Sequence, residues 1–289
     1  MLYTPVNHFN WTANNFSDSY AGDLSSLTLL TAGGSAHTKG SDTACMVGVA
    51  EDVYGITLNF GGGGTNVTIR RQMTDLLIDP AAGVGNPGSS WSVLINNLYT
   101  NSPAISSGLI GHQFYFPLYL KAGTAFGARV QDVVASATCS LGIQVFGKPT
   151  HPELCKVGTK VRTIGATTAT TTGVAVTPGT DAYGSYSVSL GTLGDEAAWW
   201  WQLGIGSNDT SMTANSYWFD IAHDATAKYV CARGIQYAVV GTTENSCKAA
   251  FGQIPPIHLV PAGASVYVRG AAVAAPDSTM TAVVYAVSE

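Results

Sequence analysis

Residues 114–147 read FYFPLYLKAGTAFGARVQDVVASATCSLGIQVFG, and residues 254–287 read IPPIHLVPAGASVYVRGAAVAAPDSTMTAVVYAV. Each stretch holds a proline, an aliphatic-rich run, Ala-Gly, a run ending in arginine, a small-residue turn and a final alternating run. Ala122-Gly123 matches Ala262-Gly263, and Arg129 matches Arg269, both at an offset of 140. Pro117 matches Pro256 at 139, so one copy carries an extra residue, as a bulge would. Leu118 and Leu120 share a strand face, and Ile257 and Leu259 are read as their counterparts. Ala-Gly makes the turn between the strands, because glycine accepts positive φ.

The match extends toward the N-terminus. TKGSD (Thr38–Asp42) aligns with TPGTD (Thr177–Asp181) at 139, and Val53–Leu58 resembles Tyr186–Leu190 as a strand. Period-2 alternation recurs in SLGIQVF (Ser140–Phe146), SYSVSL (Ser185–Leu190) and SVYVR (Ser265–Arg269). Many short strands between turn signals point to a sandwich or jelly roll. The expected fold is all-β, with two tandem homologous antiparallel β-sandwich (jelly-roll-like) domains. An N-terminal arm covers 1–25, the first domain 26–148, a linker 149–159 and the second domain 160–289. Lys148-Pro149-Thr150-His151-Pro152 supplies the linker chemistry.

Composition narrows the function. Of 289 residues, 11% are charged, against roughly 25% in an average domain. With 46% hydrophobic residues, the chain is not disordered. A net charge of −5 argues against a nucleic-acid partner. The N-terminal stretch lacks the basic and apolar regions of a signal peptide, and no run is long enough for a spanning helix, so no membrane insertion is expected. Cys45, Cys139, Cys155, Cys231 and Cys247 form no CxxC pair, which excludes the usual zinc spacing. Cys231 and Cys247 could bridge; buried free thiols are the plainer reading.

Motifs for catalysis are absent. GVGNPG (Gly83–Gly88) fits GxGxxG, but Pro87 lies inside it and no acidic residue follows before Gln131, so it reads as a surface loop. GIQVFGK (Gly142–Lys148) has Pro149 where a phosphate loop needs Ser or Thr, and it alternates as a strand. His223-Asp224 would point to opposite faces of a strand. No catalytic residue, cofactor or metal ligand is assigned, and the chain is read as not an enzyme.

Two features carry the site assignment. Trp199-Trp200-Trp201, with Tyr217 and Trp218, offers aromatic surface for core packing, a subunit interface or stacking on sugar rings. On an ideal strand Trp200 faces one side, and Trp199 and Trp201 face the other. Arg129 and Arg269 are read as structural clamps, since a guanidinium has five donors for tying strands together; a ligand role is the alternative.

LTAGGSAHTKG (Leu30–Gly40), followed by strands and then FYFPLYLKAGTAFGARVQ (Phe114–Gln131), resembles a recurring type of tailed-bacteriophage virion protein. The second half lacks the Ala-His-Thr-Lys string and has Ala175-Val176-Thr177-Pro178 instead. The resemblance implies a head decoration, collar or tail/fibre component in the virion. Its partners would be itself, as a homo-oligomer, and other virion proteins. The alternative is a carbohydrate-binding receptor-recognition module of a fibre or spike, contacting a host surface glycan. Scarce charge fits surfaces covered by neighbouring copies.

Overall fold

The computed structural model describes residues 28–62, 70–102, 113–147, 156–166, 173–186, 189–207, 215–239, 248–249, 259–274 and 280–289. The expected arm and most of the expected linker lie outside these residues.

The first domain holds β1 (Thr28–Thr31), β2 (Thr43–Met46), β3 (Gly55–Gly62), β4 (Arg70–Asp79), β5 (Ser92–Ser102), β6 (Gln113–Phe116), β7 (Ala125–Asp132) and β8 (Thr138–Phe146). They form two sheets ordered β1-β8-β3-β6 and β2-β7-β4-β5. This is the eight-strand order of a jelly roll. The second domain holds β9 (Lys160–Ile164), β10 (Val174–Ala175), β11 (Gly179–Thr180), β12 (Ser189–Thr192), β13 (Ala198–Ser207), β14 (Asn215–His223), β15 (Tyr229–Val239), β16 (Lys248–Ala249), β17 (Ser265–Ala272) and β18 (Met280–Ser288). One of its sheets runs β10-β18-β13, with β9 also on β18. The other runs β11-β17-β14-β15-β16, with β12 also on β17. The second domain thus repeats the first, with β7, β4 and β5 matched by β17, β14 and β15.

The Ala-Gly turn works as the sequence suggests: Gly123 has φ 89° and Gly263 has φ 72°. Just before it, Leu120 bridges Val53 and Val260 bridges Ala198. Val260 is therefore the counterpart of Leu120 and is fully buried, whereas Leu259 is 58% exposed. The expected pairing of Leu120 with Leu259 is off by one residue, and a one-residue slip reverses the face.

Two other sequence alignments are corrected by hydrogen bonding. Gly40 N–H donates to Val130 O, and Gly184 N–H donates to Gly270 O. His37 N–H donates to Asp132 O, and Asp181 N–H donates to Ala272 O. Because β7 and β17 align at 140, Gly40 matches Gly184 and His37 matches Asp181; TKGSD and TPGTD are not equivalent. His37 (φ 58°) and Asp181 (φ 53°) share the same left-handed turn. Likewise, β12 pairs with β17 as β2 pairs with β7, each with a bulge that turns Cys45 or Leu190 into the core. The strand containing Leu190 therefore matches β2, not β3.

The domains are joined by a shared core. Strand β18 is buried along its whole length. Ala282, Val284 and Ala286 point into the second sandwich, while Val283, Tyr285 and Val287 join the core of the first. There Tyr285 packs edge-on against Phe114 and Phe116 of β6, at 5.9 and 6.5 Å between ring centroids. The Tyr285 hydroxyl accepts from Tyr99 N–H at 2.8 Å and donates to Asn97 O at 2.6 Å, both on β5. The sheet of β9, β18 and β13 thus lies across β5 and β6, the edge strands of the first sandwich, and covers edges that would otherwise invite pairing. Gly204 and Gly206 permit this approach: a Cβ on either would meet the Tyr99 ring, at 3.0 and 2.4 Å.

Candidate functional site

Each domain carries one buried aspartate at the same place. Asp75 sits on β4 opposite Arg129 of β7, and Asp220 sits on β14 opposite Arg269 of β17. On the other side, the register of β4 with β5 shifts at Asp75, where Asn96 and Asn97 oppose one residue. The register of β14 with β15 shifts at Asp220, where Arg233 and Gly234 do the same. The extra residue turns left-handed: Asn97 has φ 49° and Gly234 has φ 67°. Its N–H then points at the carboxylate, donating to Asp75 Oδ1 or Asp220 Oδ1 at 2.9 Å in each case. Arg129 Nε binds Asp75 Oδ2 at 2.8 Å. Arg269 binds Asp220 Oδ2 through Nη2 at 2.8 Å and Nε at 3.0 Å. Both arginines therefore tie strands together in these nodes.

The nodes differ in what covers them. Lys39 covers the first, with Nζ 2.8 Å from Asp75 Oδ1 and 2.9 Å from Met73 O. Burial pushes the Lys39 ammonium down to about 8 against the opposing pull of Asp75. Burial also works to raise the Asp75 carboxyl, but Lys39, the Asn97 N–H and Arg129 outweigh it and hold that group below the usual carboxylate range. By the Gly40–Gly184 match, Tyr183 stands in the second domain where Lys39 stands in the first. The Arg269 guanidinium lies 4.6 Å from the ring centroids of both Tyr183 and Tyr186. Burial, with Asp220 adding, pushes the Tyr186 phenol up to about 12.

The tryptophan triplet is placed differently from an ideal strand. A bulge between Ala198 and Trp200 leaves Trp199 out of register. Trp199 and Trp200 consequently both pack toward the first domain, edge to face at 6.3 Å, while Trp201 enters the second core. Trp200 Nε1 donates to Tyr115 O at 3.2 Å, and Gln202 Nε2 donates to the same carbonyl. Lys156 Nζ lies 5.3 Å from the Trp199 ring centroid. Tyr217 is fully buried. Trp200, Trp201 and Tyr217 are therefore packing residues with no face for a sugar; Trp218 is half-buried on the outer side of β14.

The remaining candidates resolve into structure. The His223 ring packs at a tilt on Tyr229, 5.5 Å between centroids, and Asp224 Oδ1 accepts from Thr226 and Ala227 N–H within the β14–β15 turn. The glycine loop at 83–88 is anchored by Asp79, whose carboxylate accepts from Ala81, Ser89 and Ser90 N–H. Gly142–Phe146 lies in β8. Cys45, Cys139 and Cys231 are buried free thiols; Cys247 lies outside the described residues. Among the described residues, no three His, Cys, Asp or Glu side chains gather to hold a metal.

No protein-family description and no curated protein matches the chain. Among solved structures, PNGF-II is similar at a TM-score of 0.39 and 9% identity, over 97% of this chain. The match takes in 65% of PNGF-II, so the chain spans less than two thirds of its length. PNGase F, a glycosylasparaginase from Flavobacterium meningosepticum, is similar at 0.36 and 11%, over 98% of this chain and 96% of that one. The CBM22 tandem domain of Paenibacillus barcinonensis Xyn10C is similar at 0.23 and 12%, over 89% and 85%. At these values the likeness concerns the all-β fold alone.

Proposed function

We propose that the chain is a non-enzymatic structural protein of a bacteriophage particle that assembles as a homo-oligomer, as a head decoration, collar or tail/fibre component. The observation that carries this reading is how the aromatic and ionisable side chains are used. Trp199 and Trp200 pack the second domain against the first, and Trp201 fills the second core. Asp75 and Asp220 are each held by an arginine. Two jelly rolls fused through one core make a stiff building block, and jelly rolls recur in viral capsids. This is support at the level of fold, and function belongs to the assembled surface.

Large apolar side chains exposed outside that shared core include Leu29, Val84, Val93 and Val134 in the first domain, and Tyr229, Leu259 and Val273 in the second. In a homo-oligomer some of them are covered by neighbouring copies. Native mass spectrometry of the purified chain from low to high micromolar concentration tests this directly. A closed oligomer of fixed stoichiometry is expected; a monomer throughout the range refutes self-assembly.

A further inference from the structure

The duplication exposes in the second domain a face that the first has used up. Along β14, Tyr217, Phe219 and Ile221 enter the core, so Trp218 and Asp220 lie on the outer side. Trp218 stands opposite Gln236 of β15 and Ala271 of β17. Arg233, in the adjacent bulge, is exposed, and Tyr183 is 37% exposed. The matching residues of the first domain are Met73 for Trp218, Tyr99 for Gln236 and Asn96 for Arg233, by the common register about Asp75 and Asp220. Met73 and Tyr99 are buried. Asn96 is tied to the second domain, its N–H and C=O both bonded to Thr163 Oγ1.

The exposed copy has the parts of a sugar site. Trp218, half-buried on the outer side of the sheet, supplies an aromatic ring, and no ring or hydrogen-bond partner engages its indole among the described residues. Gln236, half-buried beside it, has an amide that both donates and accepts. Asp220 is already matched by Arg269. Arg233 is therefore a surplus cation, two strand positions or about 7 Å from the Trp218 level. A guanidinium in that position selects a carboxylate through paired hydrogen bonds.

We propose that this face binds an acidic saccharide, with a pyranose ring stacked on Trp218, its hydroxyls on Gln236 and its carboxylate on Arg233. The site stands independently of the assembly reading, since a chain that never enters a particle can still bind sugar. Calorimetric titration of the full chain with trigalacturonate, 3′-sialyllactose and uncharged lactose tests it. At least one of the two acids is expected to bind more tightly than lactose. Trp218→Ala should weaken that binding at least about tenfold, as loss of a central aromatic anchor does. Trp218→Phe, which keeps a ring, should retain most of it. Arg233→Gln should reduce the acid to the level of lactose. No heat with either acid, lactose bound as tightly as the acids, or binding untouched by Trp218→Ala or Arg233→Gln overturns the proposal.

Discussion

Arg269 lies directly across the β14–β17 ladder from Asp220 and grips one carboxylate oxygen through both Nη2 and Nε. Arg129 and Asp75 repeat the relationship in the first domain. In each case the aspartate also holds open a bulge in the third strand. The carboxylate therefore satisfies a backbone N–H that the bulge takes out of the ladder. Removing it leaves that N–H without a partner and takes from each arginine its buried carboxylate, leaving, among the described residues, Arg129 only Asp42 at 3.5 Å and Arg269 only its two tyrosine rings. Asp220→Ala should cost about 3 kcal/mol, and Asp75→Ala, which also strands the buried Lys39, ~4 kcal/mol. Urea unfolding midpoints measure both; losses below about 1 kcal/mol would show that the nodes are dispensable.

The bulge predicts its own tolerance. Gly234 is left-handed, and a Cβ added there would meet only open space; Asn97 already occupies the matching site. Gly234→Asn should be close to neutral, whereas Gly234→Val should cost about 1–2 kcal/mol for a left-handed β-branched residue. Equal effects from the two substitutions would contradict the assigned backbone.

Lys39 and Asp75 give stability a pH signature. Lys39 releases its proton in the folded chain near 8, below its ordinary 10.5. Between those values the unfolded chain binds the extra proton, so this group's contribution to stability rises with pH. The Asp75 carboxyl is lowered. Its contribution is fully present above the ordinary carboxylate range and is lost as pH falls through the folded value. The stability difference between the parent and Lys39→Met should thus move in the parent's favour from about pH 8 to 10.5, by roughly 3 kcal/mol at most. Chemical unfolding at a series of pH values checks it, and a flat difference counts against a buried charged lysine.

The seam should make the domains unfold together. Tyr285→Phe removes the hydroxyl that serves Tyr99 N–H and Asn97 O, at a cost of about 2 kcal/mol. Calorimetry of the parent should show one transition. Two transitions, with only one moved by Tyr285→Phe, would mean that the shared core does not couple the sandwiches.

The thiols should be silent in the folded chain. Burial pushes Cys45 and Cys231 up to about 12, and Cys139 higher than its usual range. Iodoacetamide at about pH 8, read by peptide mass spectrometry, should leave all three unlabelled until denaturant is added.

The duplicated fold was legible because Ala-Gly and arginine recur at 140 in a hairpin whose internal spacing is fixed. The nodes were not. Asp75 and Asp220 are 145 apart, Asn97 and Gly234 are 137 apart, and insertions between strands erase a common offset. The match of TKGSD to TPGTD followed shared turn composition, while the backbone hydrogen bonds of Gly40 and Gly184 set Lys39 level with Tyr183. The tryptophan triplet misled for a local reason: alternation assumes an unbroken ladder, and the bulge at Trp199 swings that ring to the side of Trp200. Part of the scarcity of charge is also accounted for within the chain. Val283, Tyr285 and Val287 make an apolar outer face in the second domain. The matching positions of the first domain, Ser140, Gly142 and Gln144, are small or polar.

Quantitative mass spectrometry of purified phage particles tests the assembly role most directly. Peptides of this chain are expected in the particles, at a fixed copy number relative to other virion proteins. Their absence from particles whose infected cells contain the protein would contradict it.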